Sequence, residues 1–374
     1  MKIAIDLRSL SSGNVSGVEN YTMNLAENLL SLDRQNQYSL FYNSFEQKPP
    51  EDFRHVNSRL LYTRIPNKIL NLCLKMNYWN IEKFTGPADW FFMPNLNQFS
   101  ILPQTKLAIT VHDLSPVVAP EFYDLKRRLW HWFLNYQKAF DRANLIFAVS
   151  EYTKTDLIRL FKVDPKKIRV VYPGLDRKIY QSGLSEEKLR ETRNLLGLPG
   201  DYLLFLNTVE PRKNLENLIR AFELIKHPAH LVIAGKDGWK NKKIFRQIRQ
   251  SKKAGKIRYL GYVPENQKPF LIKMSRALVY PSFYEGFGFQ PLEAMGLNVP
   301  VIASQVTAIP EVAGDSALLI NPYNVADLAF AMEEILANKQ LKSELVKKGA
   351  EQSKKFNWEK TASLILNSLN ENRD

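Results

Sequence analysis

The chain has 374 residues, enough for two domains that each bury a hydrophobic core. Hydrophobic residues make up 45% and aromatic residues 11% of it, a composition that excludes wholesale disorder. Its formal net charge of +14 at pH 7 favours anionic partners such as nucleotides, nucleic acids or anionic lipid surfaces.

A single cysteine, Cys73, excludes an internal disulfide framework and any multi-cysteine metal site, so we expect a reducing, cytoplasmic location. Residues 1–7 have the pattern of a first strand and lack the apolar core of a signal peptide. No stretch approaches the roughly 18 apolar residues that a membrane-spanning helix needs. There is no Asp-x-Asp pair, His-Glu-x-x-His motif or Walker glycine–lysine loop, so we expect neither a metal nor a resident cofactor.

The first half of the chain alternates short apolar runs with helical periodicity. Runs typical of strands occur at residues 2–7, 38–42, 90–93, 107–111, 145–149 and 168–171. Helical patterns at residues 18–32, 125–142 and 151–161 separate several of them. Such alternation predicts an α/β domain with a parallel sheet and helices on both faces.

The alternation stops at residues 172–176, and a polar, charged segment follows. Strand patterns resume at residues 202–207, 230–234, 258–260, 277–280, 299–303 and 317–320, with helical patterns between them. We therefore predict two α/β domains, residues 1–175 and 176–355, followed by a helix at about residues 356–370. Ligands should bind at the carboxyl ends of the strands.

Two motifs of the first half lie where strands are predicted to end. Gly13 and Gly17 follow the first strand and permit close approach of the backbone to a ligand, although a plain strand-to-helix connection explains them equally well. His112 and Asp113 follow the strand at residues 107–111. They could bind a sugar hydroxyl through charge-assisted hydrogen bonds, or they could be structural.

Residues 125–140 place aromatic and basic side chains at helical spacing, and residues 67–84 have a similar character. Trp and Phe with basic neighbours suit an anionic membrane surface, but helices that face a protein core share the pattern. The predicted face comprises Leu129, Trp132, Phe133, Tyr136 and Phe140, flanked by Lys126, Arg127 and Arg128.

Arg212 and Lys213 follow the strand at residues 202–207 and precede an amphipathic helix. Two cations at the positive end of a helix dipole suit a diphosphate, whose negative charge grows as a leaving group departs. The alternative is a basic loop neutralised by Glu210 or Glu216.

A second basic segment, residues 236–258, contains ten Lys or Arg residues and only one acid, Asp237. A solvated helix face and a polyanion-binding surface both fit this pattern.

Glu285 and Glu293 lie eight positions apart on either side of Gly286 and Gly288. The pattern predicts a strand at residues 276–280, a loop, and a helix from about Pro291. One carboxylate would lie on the loop and the other in the helix, an arrangement that suits a ligand with both a diphosphate and hydroxyl groups.

At these glutamates the sequence resembles retaining glycosyltransferase family 4, whose signature pairs two glutamates separated by seven residues. Arg212-Lys213-Asn214 matches a second family motif, and His112-Asp113-Leu114 is similar to a segment of bacterial members, mannosyltransferases in particular. The resemblance covers nearly the whole chain and is more specific in its second half. It implies the GT-B fold, two facing Rossmann-like domains with a cleft between them, with the final helix packed back on the first.

The resemblance also implies roles for the motifs. Arg212 and Lys213 bind the donor phosphates, Glu285 orients the hexose hydroxyls, and Glu293 accepts hydrogen bonds from the ribose. His112 and Asp113 contact donor sugar or acceptor. The remaining donor-site residues are the nucleobase-binding Tyr262 and Val263 and the loop and helix residues Gly13, Gly17, Gly286, Phe287, Gly288 and Leu292.

We therefore predict a retaining, metal-independent hexosyltransferase. It would move a mannose- or glucose-type sugar from a GDP- or UDP-sugar to a glycan or lipid-linked acceptor, in cell-surface polysaccharide or glycolipid synthesis. We expect it in the cytoplasm or at the inner face of the cytoplasmic membrane, without a nucleic acid partner. The alternatives are a GT-B-type nucleotide-sugar epimerase or hydrolase and a non-enzymatic polyanion-binding protein.

Overall fold

The computed structural model describes residues 1–12, 17–49, 53, 55–175 and 183–372, which form two compact units. The first unit comprises Met1–Leu114, Leu129–Gly174 and Asn357–Asp374, and the second comprises Ser115–Arg128 and Leu175–Phe356. The chain therefore passes from one unit to the other after Leu114, Arg128, Gly174 and Phe356.

The described part of the first unit contains a parallel sheet of seven strands in the order β3-β2-β1-β4-β5-β6-β7. The strands are apolar and mostly buried, as expected for a parallel sheet covered on both faces. Their bounds are β1 Lys2–Asp6, β2 Gln37–Asn43, β3 Ser58–Thr63, β4 Trp90–Met93, β5 Lys106–Val111, β6 Leu145–Ala148 and β7 Ile168–Val170.

The second unit contains a parallel sheet of six strands within the described ranges, in the order β10-β9-β8-β11-β12-β13. Counted from its first strand, each sheet begins with the doubly wound order 3-2-1-4-5-6. Ligands bind such sheets where the order reverses, here between β1 and β4 and between β8 and β11. The bounds are β8 Tyr202–Leu206, β9 His230–Ala234, β10 Ile257–Gly261, β11 Ala277–Tyr280, β12 Val301–Ser304 and β13 Leu318–Ile320.

Helices connect the strands. Their bounds are Gly17–Leu32, Asn67–Lys75, Glu82–Thr85, Ser115–Val118, Leu125–Leu134, Tyr136–Arg142, Glu151–Phe161, Glu186–Leu196, Leu215–Leu224, Lys242–Gln250, Lys268–Lys273, Phe289–Gly296, Ile309–Ala313, Val325–Ala337, Lys339–Ser353 and Trp358–Glu371. Short 3₁₀ turns occur at Arg8–Ser12, Pro120–Phe122, Pro165–Lys167, Pro211–Lys213 and Ala254–Lys256. No helix of the described segments is long and apolar enough to cross a membrane.

The predicted strands at residues 90–93, 230–234 and 277–280 agree with the structure at both ends, and the others differ by one or two residues. One strand, β3, was not predicted. It lies at the edge of the sheet, where its side chains are only half-buried, so its sequence lacks the continuous apolar run of a central strand.

The single helix predicted at residues 125–142 is wrong. Asn135 adopts a left-handed conformation with φ 51°, and its side chain caps the second helix by accepting a hydrogen bond from the Lys138 N–H. The predicted aromatic face is divided as a result, because Phe140 is buried against Phe161 whereas Trp132 is exposed.

Residues 115–128 pack within the second unit, although the strand–helix alternation gives no sign of this. The ring of Tyr123 stacks on that of Trp239, with 5.5 Å between centroids, and the Arg127 guanidinium lies 4.1 Å from the centre of the same indole. The indole N–H donates a hydrogen bond to the carbonyl of Phe122, whose ring stacks on Phe283. Aromatic stacking and a satisfied indole thus fix this segment.

The final helix belongs to the first unit. Asn357 caps its amino terminus, and the Thr361 hydroxyl donates to the carbonyl of Tyr172 at 2.7 Å. The ring of Trp358 meets the buried ring of Tyr21 edge-on at 5.4 Å. A Cβ at Gly174 would lie only 2.2 Å from the main-chain nitrogen of Trp358. The two backbone segments can therefore approach this closely only with glycine at position 174.

Candidate active site

Four charged side chains form a buried ion cluster where β8 and β11 end. Lys213 Nζ lies 2.6 Å from Glu285 Oε1, and Arg212 Nη1 lies 3.1 Å from Glu285 Oε2. Arg212 Nη2 is also 3.0 Å from Glu210 Oε1. Each of the four side chains is at most 11% exposed. The structure therefore brings together three of the predicted site residues and adds Glu210, whose pairing with Arg212 was the alternative interpretation of this loop.

Backbone hydrogen bonds hold the two loops in register. The Phe283 N–H donates to the Arg212 carbonyl at 2.9 Å, and Arg212 Nη1 donates to the Tyr284 carbonyl at 2.7 Å. The Asn214 side chain donates to the carbonyls of Pro281 and Pro322 at 2.9 and 2.7 Å. The cations and the carboxylate are thus fixed by main-chain contacts as well as by their charges.

Asn214 and Thr307 support the cluster but were not predicted as site residues. Both have φ 59°, which Asn tolerates and which is rare for a β-branched residue such as Thr. The Thr307 hydroxyl accepts a hydrogen bond from the Glu285 N–H at 3.1 Å. Asn214 could have been predicted from the Arg-Lys-Asn motif to which it belongs. The contact of Thr307 with Glu285 is tertiary, so the order of residues alone does not show it.

The electrostatics of the cluster follow from its burial. Burial alone would raise the pKa of Glu285, but Lys213 and Arg212 outweigh it and lower the pKa to about 2. Burial, with the charge of Arg212, lowers the pKa of Lys213, and burial raises the pKa of Glu210. The Tyr280 hydroxyl, buried and close to Glu285, has its pKa raised. Glu285 is therefore ionised throughout the neutral range and paired with two cations.

The loop after Glu285 leads into the helix Phe289–Gly296, which begins two residues before the predicted Pro291. Gly288 has φ 120°, and a Cβ there would lie 2.7 Å from Ile309 Cδ1, so this turn requires glycine. The loop residue Gly286 immediately precedes the buried ring of Phe287. Leu292 and Glu293 lie on the helix and are buried, Glu293 being 4% exposed.

Tyr262 and Val263 follow β10, which β9 separates from β8 in the sheet. Val263 is buried, whereas Tyr262 is 44% exposed and its ring centre lies 5.0 Å from Lys236 Nζ. Both residues lie at the carboxyl edge that also carries the ion cluster.

The remaining predicted residues belong to the first unit. Gly13 lies outside the described residues, and Gly17 is the exposed first residue of a helix. His112 follows β5 and donates a hydrogen bond from Nε2 to the Pro94 carbonyl at 2.8 Å. Burial lowers the pKa of His112, which favours the neutral ring at pH 7. Asp113, the next residue, is half-buried.

Glu216, the other acid that the sequence offered as a partner for Arg212 and Lys213, lies outside the ion cluster. Glu216 pairs with Lys243 at 2.7 Å, on the exposed basic helix Lys242–Gln250. The described ranges contain no group of three or more His, Cys, Asp or Glu residues that could hold a metal ion.

Two family models match the chain. Residues 15–178 match the model "Glycosyltransferase Family 4", and residues 190–352 match "Glycosyl transferases group 1". O-antigen chain mannosyltransferase B of Escherichia coli is 32% identical over 265 residues, which cover 69% of this chain and 68% of that protein. The serotype-specific mannosyltransferase WbdA of Escherichia coli is 29% identical over 271 residues, and this alignment spans 70% of the chain but only 33% of WbdA.

Solved structures share the fold. Sucrose-phosphate synthase from Thermosynechococcus elongatus superposes with a TM-score of 0.77 at 21% identity, covering 99% of this chain and 98% of that one. Anabaena HepE in complex with UDP and glucose gives a TM-score of 0.76 at 18% identity, covering 99% and 100% of the respective chains.

The two parallel α/β units and these structural neighbours define the GT-B fold. The chain belongs to the group 1 glycosyltransferases of family 4. This membership confirms the predicted family and fold class. It also favours a transferase over the alternatives of an epimerase, a hydrolase or a polyanion-binding protein.

The low pKa of Glu285 predicts a pH-dependent stability defect for Glu285→Gln. Above pH 4.5, the ordinary pKa of a glutamate, ionised Glu285 stabilises the folded chain. This contribution is lost as the pH falls through about 2, the pKa of Glu285 in the folded chain. The variant should have a free energy of unfolding about 3 kcal/mol lower at pH 7, because two buried cations lose a partner. Urea denaturation at several pH values should show this difference shrinking between pH 5 and pH 3.

Glu216→Gln is the matched control, because its partner Lys243 is 72% exposed. We expect it to change stability by less than about 1 kcal/mol at any pH. A deficit of Glu285→Gln that is the same at pH 3 as at pH 7 would contradict the assignment.

Proposed function

We propose that this protein transfers mannose from GDP-mannose, with retention of anomeric configuration, to a growing glycan in O-antigen-type polysaccharide synthesis. The observation that carries the proposal is the buried cluster of Arg212, Lys213 and Glu285 at the point where the strand order of the second sheet reverses. The names of the mannosyltransferase relatives support the choice of sugar and of polysaccharide. A UDP-hexose is the second candidate donor, favoured by the fold shared with HepE in complex with UDP-glucose.

The cluster suits a diphosphate leaving group. Glu285 holds Arg212 and Lys213 in place before a donor arrives, so little reorganisation is needed when the leaving group becomes more negative. Preorganised charges in a site that excludes water stabilise such a transition state by several kcal/mol. The donor phosphates would lie against these cations. The helix Phe289–Gly296 begins shortly after Glu285 in the chain, and the amino end of a helix favours an anion.

In the proposed reaction the bond between C1 of the sugar and the phosphate oxygen breaks, and a bond from C1 to the acceptor oxygen forms on the same face. The acceptor hydroxyl gives its proton to the departing phosphate oxygen, and the products are the glycoside and the nucleoside diphosphate. Glu285 is a poor base and a poor nucleophile because two cations hold its pKa at about 2. We assign it to orienting the sugar hydroxyls and fixing the two cations.

The nucleoside would occupy the same sheet edge. We assign Glu293 to the ribose hydroxyls and the backbone of Tyr262 and Val263 to the nucleobase.

Replacing both cations should abolish transfer. It also leaves the buried Glu285 and Glu210 without their partners, so turnover is measured at a temperature at which circular dichroism shows the variant folded. Arg212→Ala with Lys213→Ala is expected to lower the turnover of the preferred donor at least 100-fold, because the lost transition-state charges are worth roughly 3 kcal/mol or more. Release of GDP or UDP from a panel of nucleotide sugars, with product configuration read by NMR, provides the measurement. The control is Lys242→Ala with Lys243→Ala, which removes two cations from the exposed helix Lys242–Gln250 and should leave turnover unchanged. Near-normal turnover in the first variant would exclude its residues from the mechanism.

Transfer should continue in excess EDTA, because fixed cations can replace a divalent metal at the leaving group. Initial rates with and without EDTA should agree within about twofold. Loss of transfer that Mg²⁺ or Mn²⁺ restores would show that this part of the proposal is wrong.

We also propose that the protein binds anionic membrane surfaces through exposed residues near Trp132. Leu129 and Trp132 are 56% and 78% exposed, and Lys126 and Arg128 are exposed beside them. Arg127 instead contacts Asp124 and Trp239.

Lys126→Glu with Arg128→Glu should lower co-sedimentation with phosphatidylglycerol vesicles severalfold, because each basic residue contributes about 1 kcal/mol near such a surface. Co-sedimentation that the variant leaves unchanged would exclude this surface.

A further inference from the structure

One residue of the segment Ser115–Arg128 contacts two loops at the carboxyl edge of the second sheet. The Phe122 carbonyl accepts a hydrogen bond at 2.6 Å from the indole of Trp239, in the loop after β9. The Phe122 ring stacks on that of Phe283, in the loop after β11, with 5.7 Å between centroids and 6° between planes. In the sheet β8 lies between β9 and β11. Phe122 therefore joins the loops on either side of the one that carries the two cations of the ion cluster.

Phe283 is the point at which the loop after β11 is held against Arg212. Its N–H donates to the Arg212 carbonyl at 2.9 Å, and Arg212 Nη1 donates at 2.7 Å to the carbonyl of the next residue, Tyr284. Glu285 follows directly, with Oε2 3.1 Å from Arg212 Nη1. A displacement of Phe283 would therefore also move the carboxylate that holds both cations.

The loop that carries Trp239 is held against the other carboxylate of the cluster. The Val209 N–H donates to the Lys236 carbonyl at 2.9 Å, and the Gly238 N–H donates to the Val209 carbonyl at 3.1 Å. A Cβ at Gly238 would lie 2.7 Å from that carbonyl oxygen, so this approach of the two loops requires glycine. Val209 immediately precedes Glu210, so the loops after β8 and β9 are fixed to each other beside the cluster.

Phe122 is itself well anchored by its neighbours in the segment. The carbonyl of Glu121 accepts a hydrogen bond from Lys240 Nζ at 2.7 Å. The ring of Tyr123 stacks on that of Trp239 with 5.5 Å between centroids. Contacts on both sides of Phe122 thus hold its ring in place as a support for the loop after β11.

The stack on Phe283 lies outside the main hydrophobic core of the second unit. That core contains fully buried side chains such as Phe205 and Phe222, whereas Phe122 and Phe283 are only half-buried. Phe283 also meets the ring of Tyr323, with 4.9 Å between centroids. Stacked rings define an orientation as well as burying apolar area. The position of this stack therefore suits the orientation of a loop better than the filling of a core.

We propose that Phe122 is a positioning residue for sugar transfer, which holds Glu285 in its pairing with Arg212 and Lys213 by stacking on Phe283. Phe122 acts through the loop and takes no part in the chemical step. The effect on transfer rests on the proposed function, whereas the effect on the ion cluster does not. Because a misplacement of about 1 Å can lower a rate roughly 100-fold, loss of the stack should be visible in a folded variant.

Steady-state transfer by the full chain from its preferred donor tests the effect on the reaction. Phe122→Leu keeps an apolar side chain but removes the flat ring, and it should lower kcat at least 10-fold while changing the donor KM less than threefold. Phe122→Tyr restores the ring and should bring kcat within threefold of the parent. Phe330→Leu is the matched control, because this phenylalanine of the helix Val325–Ala337 is 65% exposed, and it should leave kcat unchanged. Circular dichroism establishes that each variant is folded, and a kcat of Phe122→Leu equal to that of the parent would overturn the proposal.

Urea denaturation provides a readout that needs no donor. Glu285→Gln should destabilise the Phe122→Leu variant at most half as much as it destabilises the parent, because contacting residues are coupled and the ion pairs are already weakened. In the Phe330→Leu variant the effect of Glu285→Gln should equal that in the parent. This pattern in a protein that transfers sugar from no donor would support the positioning role and refute the proposed function. Active transfer, with an unchanged kcat in Phe122→Leu and additive losses of stability, would refute the positioning role and retain the function.

Discussion

The second unit depends on burying two carboxylates and two cations together between the ends of β8 and β11. A buried charge that loses its partner is strongly destabilising, so none of the four can be accommodated alone. The ion pairs therefore fix the loops that carry these side chains. Asn214 and Thr307 hold the loop backbone through their hydrogen bonds. The same contacts stabilise the fold and shape the candidate site, which explains why these loops are buried and well fixed.

This arrangement also restricts the chemistry that each residue can perform. The carboxylate of Glu285 is held by both cations, and its low pKa makes it unsuitable for taking a proton at neutral pH. Lys213 has its pKa lowered, yet its contact with Glu285 favours the charged form. The cluster provides a fixed electrostatic environment with no evident acid–base pair, and such an environment suits a reaction whose main difficulty is charge on a leaving group.

The sequence predicted those parts of the fold that local pattern determines. The buried strands β4, β9 and β11 are continuous apolar runs, and the helix Glu151–Phe161 follows a clear N-cap, Ser150, so their bounds could be predicted from residue order. The edge strand β3 could not be predicted, because it depends on pairing with β2. The helix break at Asn135 could not be predicted either, because it depends on a single left-handed residue. At the site, Arg212, Lys213 and Glu285 were predicted from their positions after predicted strands and from the family motifs that they resemble. That they contact one another, and that Thr307 supports them, depends on tertiary structure.

The chain passes repeatedly between the two units, and this restricts how chimaeras can be made from related proteins. Crossovers after Leu114, Arg128, Gly174 and Phe356 mean that neither unit is a continuous stretch of sequence. A chimaera joined only at Gly174 would combine one parent's Trp239 with the other parent's Tyr123 and Arg127, which contact its indole. It would also combine one parent's Tyr21 with the other's Trp358. Recombination that respects the structure must move residues 115–128 together with the second unit and leave the final helix with the first.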